Sequence, residues 1–178
     1  MSNERLFNPA TRFWLAFPEA FADWQHPTAA EFNANPTNDP KGLIFEITCA
    51  LNQDGTTFDL GDSETDDSLT FCQVAGAVNP TSENPEIVYE IERSKDPLAV
   101  NTANLALELL QFKDVEYFAI LSVGKEPGEP VTAGEDDVKM ARVGLDYPAD
   151  VFGAGENIRL SQAFANRDDV LWNHTIES

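Results

Sequence analysis

Hydrophobic and polar positions alternate along several short stretches of the chain, which is the period of β-strands with one buried face. The alternation is clearest from Leu43 to Leu51 and from Ile87 to Ile91. The stretch from Tyr117 to Val123 is apolar at consecutive positions, so we expect a central strand that is covered on both faces.

The C-terminal part of the chain shows the same period with two interruptions. The apolar positions of 138–140 and 143–145 are out of phase by one residue, which predicts a β-bulge between them. Residues 158–164 and 170–176 predict two more strands. The polar residues 166–169 between them predict a hairpin connection.

One segment has helical periodicity, and we predict a helix over about residues 97–112. Asp96 and Pro97 supply an N-cap and a first-turn proline, although a start at Asn101 or Thr102 is also open. Its apolar side chains recur at helical spacing and form one stripe: Leu105, Leu109 and Phe112. About seven short strands and one helix, without a βαβ repeat, predict a mainly β fold, an antiparallel β-sandwich or curled sheet with one flanking α-helix.

The first 41 residues are rich in aromatic side chains and interrupted by prolines, so we predict an N-terminal arm (1–41) followed by a single domain (42–178). A short strand near residues 11–17 and a helical turn near 28–33 fit this segment. Such an arm either covers its own core or docks on a neighbouring subunit. The candidate interface residues are Phe7, Phe13, Trp14, Phe17 and Trp24.

Charge excludes whole classes of partner. The 178 residues include 11 basic and 31 acidic side chains, which gives a formal net charge of −20. Affinity for nucleic acid needs clustered Lys and Arg, and so does affinity for an anionic membrane. We therefore expect no nucleic-acid binding and no membrane binding. The length suits one domain.

Acidic residues are concentrated in one region: between Gly42 and Glu92 there are 11 acids and no Lys or Arg. Six of them fall in one short segment: Asp54, Asp59, Asp62, Glu64, Asp66 and Asp67. A calcium loop, a glycosidase-type carboxylate pair and a solvated acidic face all remain open. The glycine and terminal glutamate of an EF-hand are missing, which favours the solvated face. We predict a long loop used between subunits.

Enzyme motifs are absent, and we predict no catalytic residue, no cofactor and no metal site. His174 alternates with Trp172 and Ile176 on an apolar strand face, and neither a cysteine nor a second histidine accompanies it in sequence, so we expect a packing role. Cys49 and Cys72 lie in apolar runs and are expected to be buried free thiols, with a disulfide as the second possibility. No stretch resembles a signal peptide or a membrane span, so we expect a cytoplasmic protein or part of a particle assembled there.

Seven segments give the chain a recognisable outline: Ser68–Cys72, Ile87–Ile91, Asp96-Pro97, Asn104–Leu107, Tyr117–Ile120, Asp146–Asp150 and Trp172-Asn173. In this order and spacing, the chain resembles the major tail tube proteins of long, non-contractile-tailed (siphovirus-type) actinobacterial phages. The resemblance runs over about residues 68–176.

The resemblance implies both fold and function. Members of that family form a β-sandwich flanked by a helix, and six copies close into a homohexameric ring. Rings stack around a tape-measure protein, contact the tail-tip and tail-terminator proteins, and form a conduit through which DNA passes during ejection. The resemblance implies a virion protein made in the host cytoplasm, and a long loop that reaches the adjacent ring. The segment from Asp54 to Asp67 is the candidate for that loop.

Two alternatives remain. One is a related tail-terminator or head–tail joining protein. The other is a monomeric, calcium-dependent β-sandwich module for glycans, in which the acidic segment would hold the metal and Trp14 or Trp24 would provide a sugar platform.

Overall fold

The structure is a computed structural model and describes residues 11–60, 64–66, 79–82, 85–152 and 158–178. Most of its regular elements are strands. They are β1 (Thr11–Ala16), β2 (Ile44–Glu46), β3 (Thr57–Leu60), β4 (Glu64–Asp66), β5 (Asn79–Ser82), β6 (Pro85–Glu92), β7 (Glu116–Val123), β8 (Asp137–Leu145), β9 (Ala149–Val151) and β10 (Arg159–Thr175). The α-helices are α1 (Ala29–Phe32) and α2 (Thr102–Leu110), and two 3₁₀ turns span Pro18–Ala20 and Thr48–Ala50.

Eight of the strands form one antiparallel sheet in the order β2-β1-β7-β8-β10-β6-β3, with β9 paired to β10. β4 and β5 form a separate two-stranded ribbon. The predicted mainly β fold, an antiparallel curled sheet with one helix of substantial length, is confirmed. The expected central strand is also confirmed, because β7 lies between β1 and β8.

The sheet curls until its two ends approach each other. Phe13 on β1 and Tyr89 on β6 are far apart in strand order, yet their rings meet edge to face with centroids 5.6 Å apart. Just after β2, Leu51 forms a single antiparallel bridge with Ile91 of β6. The concave side of the curl encloses the inner core, to which α2 contributes Ala106, Leu109 and Leu110.

A second core lies on the outer face of β1, β7 and β8. Trp14, Phe118 and Met140 project from these strands, and Phe21 and Phe32 from the N-terminal segment cover them. Between these elements the rings of Trp14 and Phe32 meet edge to face with centroids 5.7 Å apart. Complete burial of an aromatic or aliphatic side chain stabilises a fold by about 1.5–3 kcal/mol, so this outer core holds the N-terminal segment onto the sheet.

The helix begins later than the sequence favoured. Asn101 is the N-cap and accepts a hydrogen bond from the backbone N–H of Asn104 at 2.8 Å, which is the alternative start and not the one at Pro97. The predicted stripe is wrong at its last position, because Phe112 lies beyond the end of α2 and is 57% exposed.

The alternation from Leu43 to Leu51 also misleads. Only Ile44–Glu46 forms a strand, and a 3₁₀ turn follows at once. The turn arises because Phe13 of β1 donates its N–H to the Thr48 hydroxyl at 2.9 Å and accepts from Ile47 N–H at 2.9 Å. Cys49 on this turn is exposed and free, so the expectation of a buried thiol is wrong there; Cys72 lies outside the described residues.

Two predictions for the C-terminal strands are wrong. β8 pairs with β7 without any register shift; its pairing with β10 is irregular between Ala141 and Val143, where the predicted bulge would lie, but the extra residues are on β10 and not on β8. Its apolar residues move from one covered face to the other: Val138 and Met140 lie in the outer core, and Ala141 and Val143 in the inner core. β10 is one strand of 17 residues, and the polar residues 166–169 form an irregularity in its pairing with β8 instead of a hairpin.

Candidate assembly surfaces

The convex side of β3 and β6 is an acidic sheet face. On β6, Ile87, Tyr89 and Ile91 point into the inner core and are at most 2% exposed. The alternate positions carry Glu86, Glu90 and Glu92 and therefore point outward. On β3, Asp59 lies directly opposite Glu86 in the register of the two strands. We call Asp59, Glu86, Glu90 and Glu92 the acidic sheet face.

Like charges directly opposite each other on neighbouring strands repel, so this register concentrates negative charge at one place on the surface. Asp59, Glu86 and Glu92 are exposed. Glu90 is buried and bound to the Arg159 guanidinium at 2.6 Å. The solvated face that the sequence favoured therefore describes the exposed Asp59, Glu86 and Glu92, whereas Glu90 is buried.

Basic side chains are mostly bound to acids of the same chain. Arg12 and Glu46 form the most buried of these pairs, with N and O atoms 2.9 Å apart and side chains 4% and 16% exposed. Gly128 donates its backbone N–H to both carboxylate oxygens of Glu46, at 3.1 and 3.2 Å. Lys125 is bound to the buried Asp136, and three further pairs lie nearer the surface: Arg93–Asp150, Lys113–Asp146 and Arg142–Glu116. The basic side chains are therefore largely neutralised within the chain, and the excess acidic side chains lie outside these ion pairs.

The segment predicted as one long acidic loop is partly strand in the structure. Asp54 lies in a turn, Asp59 lies on β3, and Glu64 and Asp66 lie on β4, which pairs with β5. β3 is a strand because Phe58 packs against the inner core and lies beside Trp172, with ring centroids 6.4 Å apart. Two further candidates, Asp62 and Asp67, lie outside the described residues. The role of this segment between subunits stays a prediction.

The candidate interface aromatics of the arm are placed against the chain's own cores. Trp14 is 3% exposed in the outer core, and Trp24 stacks on Phe118 with ring centroids 5.5 Å apart. Phe13 and Phe17 pack against the inner core. Phe7 lies outside the described residues. Contact of these residues with a second copy stays a prediction.

Other apolar side chains are exposed, and they share one end of the sheet. They are Leu98, Val100, Phe112, Tyr147, Phe152 and Ile158, which we call the terminal apolar set. The segments that carry them meet through backbone hydrogen bonds: Arg93 N–H donates to Ile158 O at 3.0 Å, and Asp114 N–H donates to Leu145 O at 3.1 Å. Exposed apolar groups concentrated in one region are typical of interaction surfaces.

Sheet edges are a further surface for association. β2 and β3 are the two end strands of the sheet. The pairing of β10 with β6 begins at Arg159 and ends at Ala163. Beyond that residue, β10 is bonded to β8 on one side, and no other described strand pairs with its second edge. Unpaired strand edges present N–H and C=O groups to other chains.

One cleft in the described part of the chain does not resemble an active site. It has a volume of about 570 Å³ and lies between the N-terminal segment and the loop around Gly128. Two of its charged lining groups, Arg12 and Glu46, are bound to each other, and Glu129 is the third.

Tyr117 lies in the inner core, where burial raises the pKa of its phenol from 10.0 to about 12. Its hydroxyl donates a hydrogen bond to the Leu109 carbonyl at 3.0 Å.

One cluster of titratable groups was missed by sequence reasoning. A second histidine does accompany His174, because the fold brings His26 to it with ring centroids 5.9 Å apart. The predicted strand face of His174 was also wrong in one respect, because Trp172 does not share it. An irregularity between Leu171 and His174 turns Trp172 away from the face that His174 shares with Val138. No signal in the sequence joins positions so far apart.

An open sheet whose edges pair with no described strand, an acidic outer face and an exposed apolar end is typical of structural proteins that assemble with other chains. A family model described as "Phage tail tube protein" matches residues 3–177. The chain belongs to the phage tail tube protein family, whose members are structural components of the virion tail. A search of curated proteins finds no match to the sequence. None of the helices in the described ranges is long and apolar enough to cross a membrane.

Proposed function

We propose that this protein is the repeating subunit of a tail tube, in which six copies close into a ring and rings stack into a conduit for DNA. Membership of the tail tube family supports self-assembly. The open sheet supports assembly through strand edges, because an edge that pairs with a second copy satisfies its backbone groups. The subunit has no enzymatic role in this proposal.

The acidic sheet face is the main observation in support of a conduit for DNA. Asp59 and Glu86 are exposed and face each other across two paired strands, so the register brings two acidic groups together on the outer surface. In a ring, the same face would form a wall that repels phosphates, so that DNA slides without adhering. Charges act over about 8 Å at physiological salt, so these acids must line the lumen to influence DNA.

The terminal apolar set supports a contact between copies. Leu98 is 90% exposed and Tyr147 is 74% exposed, although the outer core shows that the chain covers other aromatic groups well. Burial of such side chains on association contributes about 25 cal/mol for each Å² removed from water. We propose that this end of the sheet contacts a neighbouring copy, in the ring or in the stack.

The further partners follow from the same proposal. The tube would enclose a tape-measure protein during assembly and would meet tail-tip and tail-terminator proteins at its ends. The subunit would be made in the cytoplasm of the host, and the resemblance noted above favours a siphovirus-type phage of an actinobacterium. The glycan-binding alternative loses one of its platforms, because Trp14 is buried.

Imaging of the purified protein tests the assembly. Negative-stain micrographs and mass measurement should show six-fold rings or stacked tubes. A monomer at all concentrations would contradict the proposal. Deletion of residues 1–8 should weaken assembly if the arm is an interface element, and unchanged assembly would exclude that role.

Charge reversal tests the conduit. Tubes that carry Glu86→Lys and Glu92→Lys should retain DNA at low salt and release it as salt rises, whereas wild-type tubes should not retain it. Tubes with Glu126→Lys and Glu135→Lys, two exposed acids outside the acidic sheet face, are the matched control. Retention by the control tubes alone would place the lumen on another face.

A further inference from the structure

The two histidines of the chain meet one carboxylate where the N-terminal segment crosses the end of β10. His26 Nδ1 lies 2.7 Å from Glu177 Oε1, and His174 Nε2 lies 3.8 Å from the same oxygen. The three potential ligand atoms lie within 4.8 Å of one another. His26 and Glu177 are 151 positions apart in sequence, so the fold creates this cluster.

The backbone holds the three residues in place. Glu177 donates its N–H to Pro27 O and accepts from Ala29 N–H, both at 3.0 Å, so its main chain is bonded to both sides of Thr28. Ile176, the neighbouring residue, is 1% exposed in the outer core. At His174, the preceding residue Asn173 adopts a left-handed conformation with φ of 52°, which sets the direction of the imidazole.

The donor set suits a transition-metal ion better than calcium. Imidazole nitrogen is a preferred ligand of Zn²⁺, and two histidines with one carboxylate is a known three-ligand set that leaves the fourth position to water. Zinc–ligand bonds of 2.0–2.2 Å in a tetrahedron place ligand atoms about 3.4 Å apart. The distances of 2.7 and 3.8 Å to Glu177 bracket that value.

A second observation favours a ligand here. His174 Nε2 is buried and has no hydrogen-bond partner, although buried polar atoms are ordinarily satisfied. The atom faces Glu177, so a cation between them would bond to the nitrogen and the carboxylate together. His26 is 59% exposed and can turn its ring to complete the set.

We propose that His26, His174 and Glu177 form a divalent transition-metal site, with zinc as its natural ion, that fastens the N-terminal segment to the end of β10. The ion bonds to His26 in the segment that covers the outer core and to two residues at the end of the last sheet strand. We assign it a structural role, since it would join two parts of the chain and the two clefts of about 570 and 210 Å³ are lined by other residues.

Calorimetric titration of the full-length protein with ZnCl₂, after removal of metals with a chelator, tests the site. We expect one zinc ion per chain and a rise in Tm of about 5–10 °C at zinc one hundred times above Kd. The chain has two histidines, so the imidazole NMR signals should both shift with zinc and neither should shift with Ca²⁺.

Variants separate this site from the acidic segment. His26→Gln and His174→Gln should each lower zinc affinity at least tenfold, and Glu126→Gln should not change it. His26→Gln is the safer test of the two, because His26 is the more exposed histidine and its replacement should leave the protein folded. Equal zinc binding by wild type and His26→Gln, absence of a Tm shift, or an equal shift with Ca²⁺ would each overturn the proposal.

Discussion

Replacement of Leu110 by alanine tests how α2 is held on the sheet. Leu110 is fully buried in the inner core, at the last position of the helix. The change removes three carbon atoms, which costs about 2.4 kcal/mol of transfer free energy at about 0.8 kcal/mol for each buried methylene. The cavity left behind adds about 1 kcal/mol, so we expect a loss of about 3–4 kcal/mol.

Phe112→Ala is the matched control, because Phe112 is two residues away, larger and 57% exposed. Its loss should stay within about 0.5 kcal/mol, as for ordinary surface positions. Urea unfolding should show a lower midpoint for Leu110→Ala with an unchanged m-value. The measurement is repeated at several protein concentrations, because association of copies raises the apparent stability. Equal losses for the two variants would refute the position of α2 against the inner core.

Three further predictions concern single interactions. Arg12→Met should cost about 3–5 kcal/mol in urea unfolding, because it leaves the carboxylate of Glu46 partly buried without its cation. Tyr117→Phe should cost about 1 kcal/mol through the lost hydrogen bond to Leu109 O. Burial raises the pKa of Tyr117 from 10.0 to about 12, so its contribution to stability is complete below pH 10 and is lost as pH rises toward 12. Asn101→Ala should cost about 1 kcal/mol, since it removes the N-cap of α2.

Each of these has a control that can contradict it. Adding Glu46→Gln to Arg12→Met should recover much of the loss, and no recovery would mean that the charge of Glu46 is not the cause. Tyr117→Phe should make the alkaline loss of stability less steep without abolishing it, because burial also raises the pKa of Tyr89; an unchanged alkaline loss would contradict the prediction. Asn101→Asp keeps a capping oxygen and should retain most of the stability that Asn101→Ala loses.

The alternation of apolar and polar residues predicts a strand correctly when one of its faces is in a core and the other is not. The alternation from Ile87 to Ile91 predicts β6 correctly because one face lies in the inner core and the other carries the acidic side chains, of which Glu86 and Glu92 are exposed. The same logic fails for β8, where both faces are covered and the apolar residues change sides without a bulge. It also fails for β10, where the polar residues 166–169 interrupt the pairing with β8 without ending the strand.

The candidate assembly surfaces could likewise be predicted from the sequence only in part. The acidic region between residues 42 and 92 could be read from composition, but its alignment across β3 and β6 depends on strand register, which brings Asp59 opposite Glu86. The meeting of His26 and His174 depends on the irregularity in β10 and on the path of the N-terminal segment. Neither the register of β3 and β6 nor the meeting of the two histidines can be predicted from the local sequence.

The position of β1 between β2 and β7 sets the order in which the chain can fold. β1 spans Thr11–Ala16, and its main partner β7 spans Glu116–Val123, so a ribosome adds about 100 residues between them, which takes roughly 5–20 s at 5–20 residues per second. Throughout that interval the three residues of β2 are the only described strand partner of β1 that has been synthesised. A host cell that translates many copies at once therefore holds a population of nascent chains whose unpaired strands can meet each other first, and productive folding competes with that encounter.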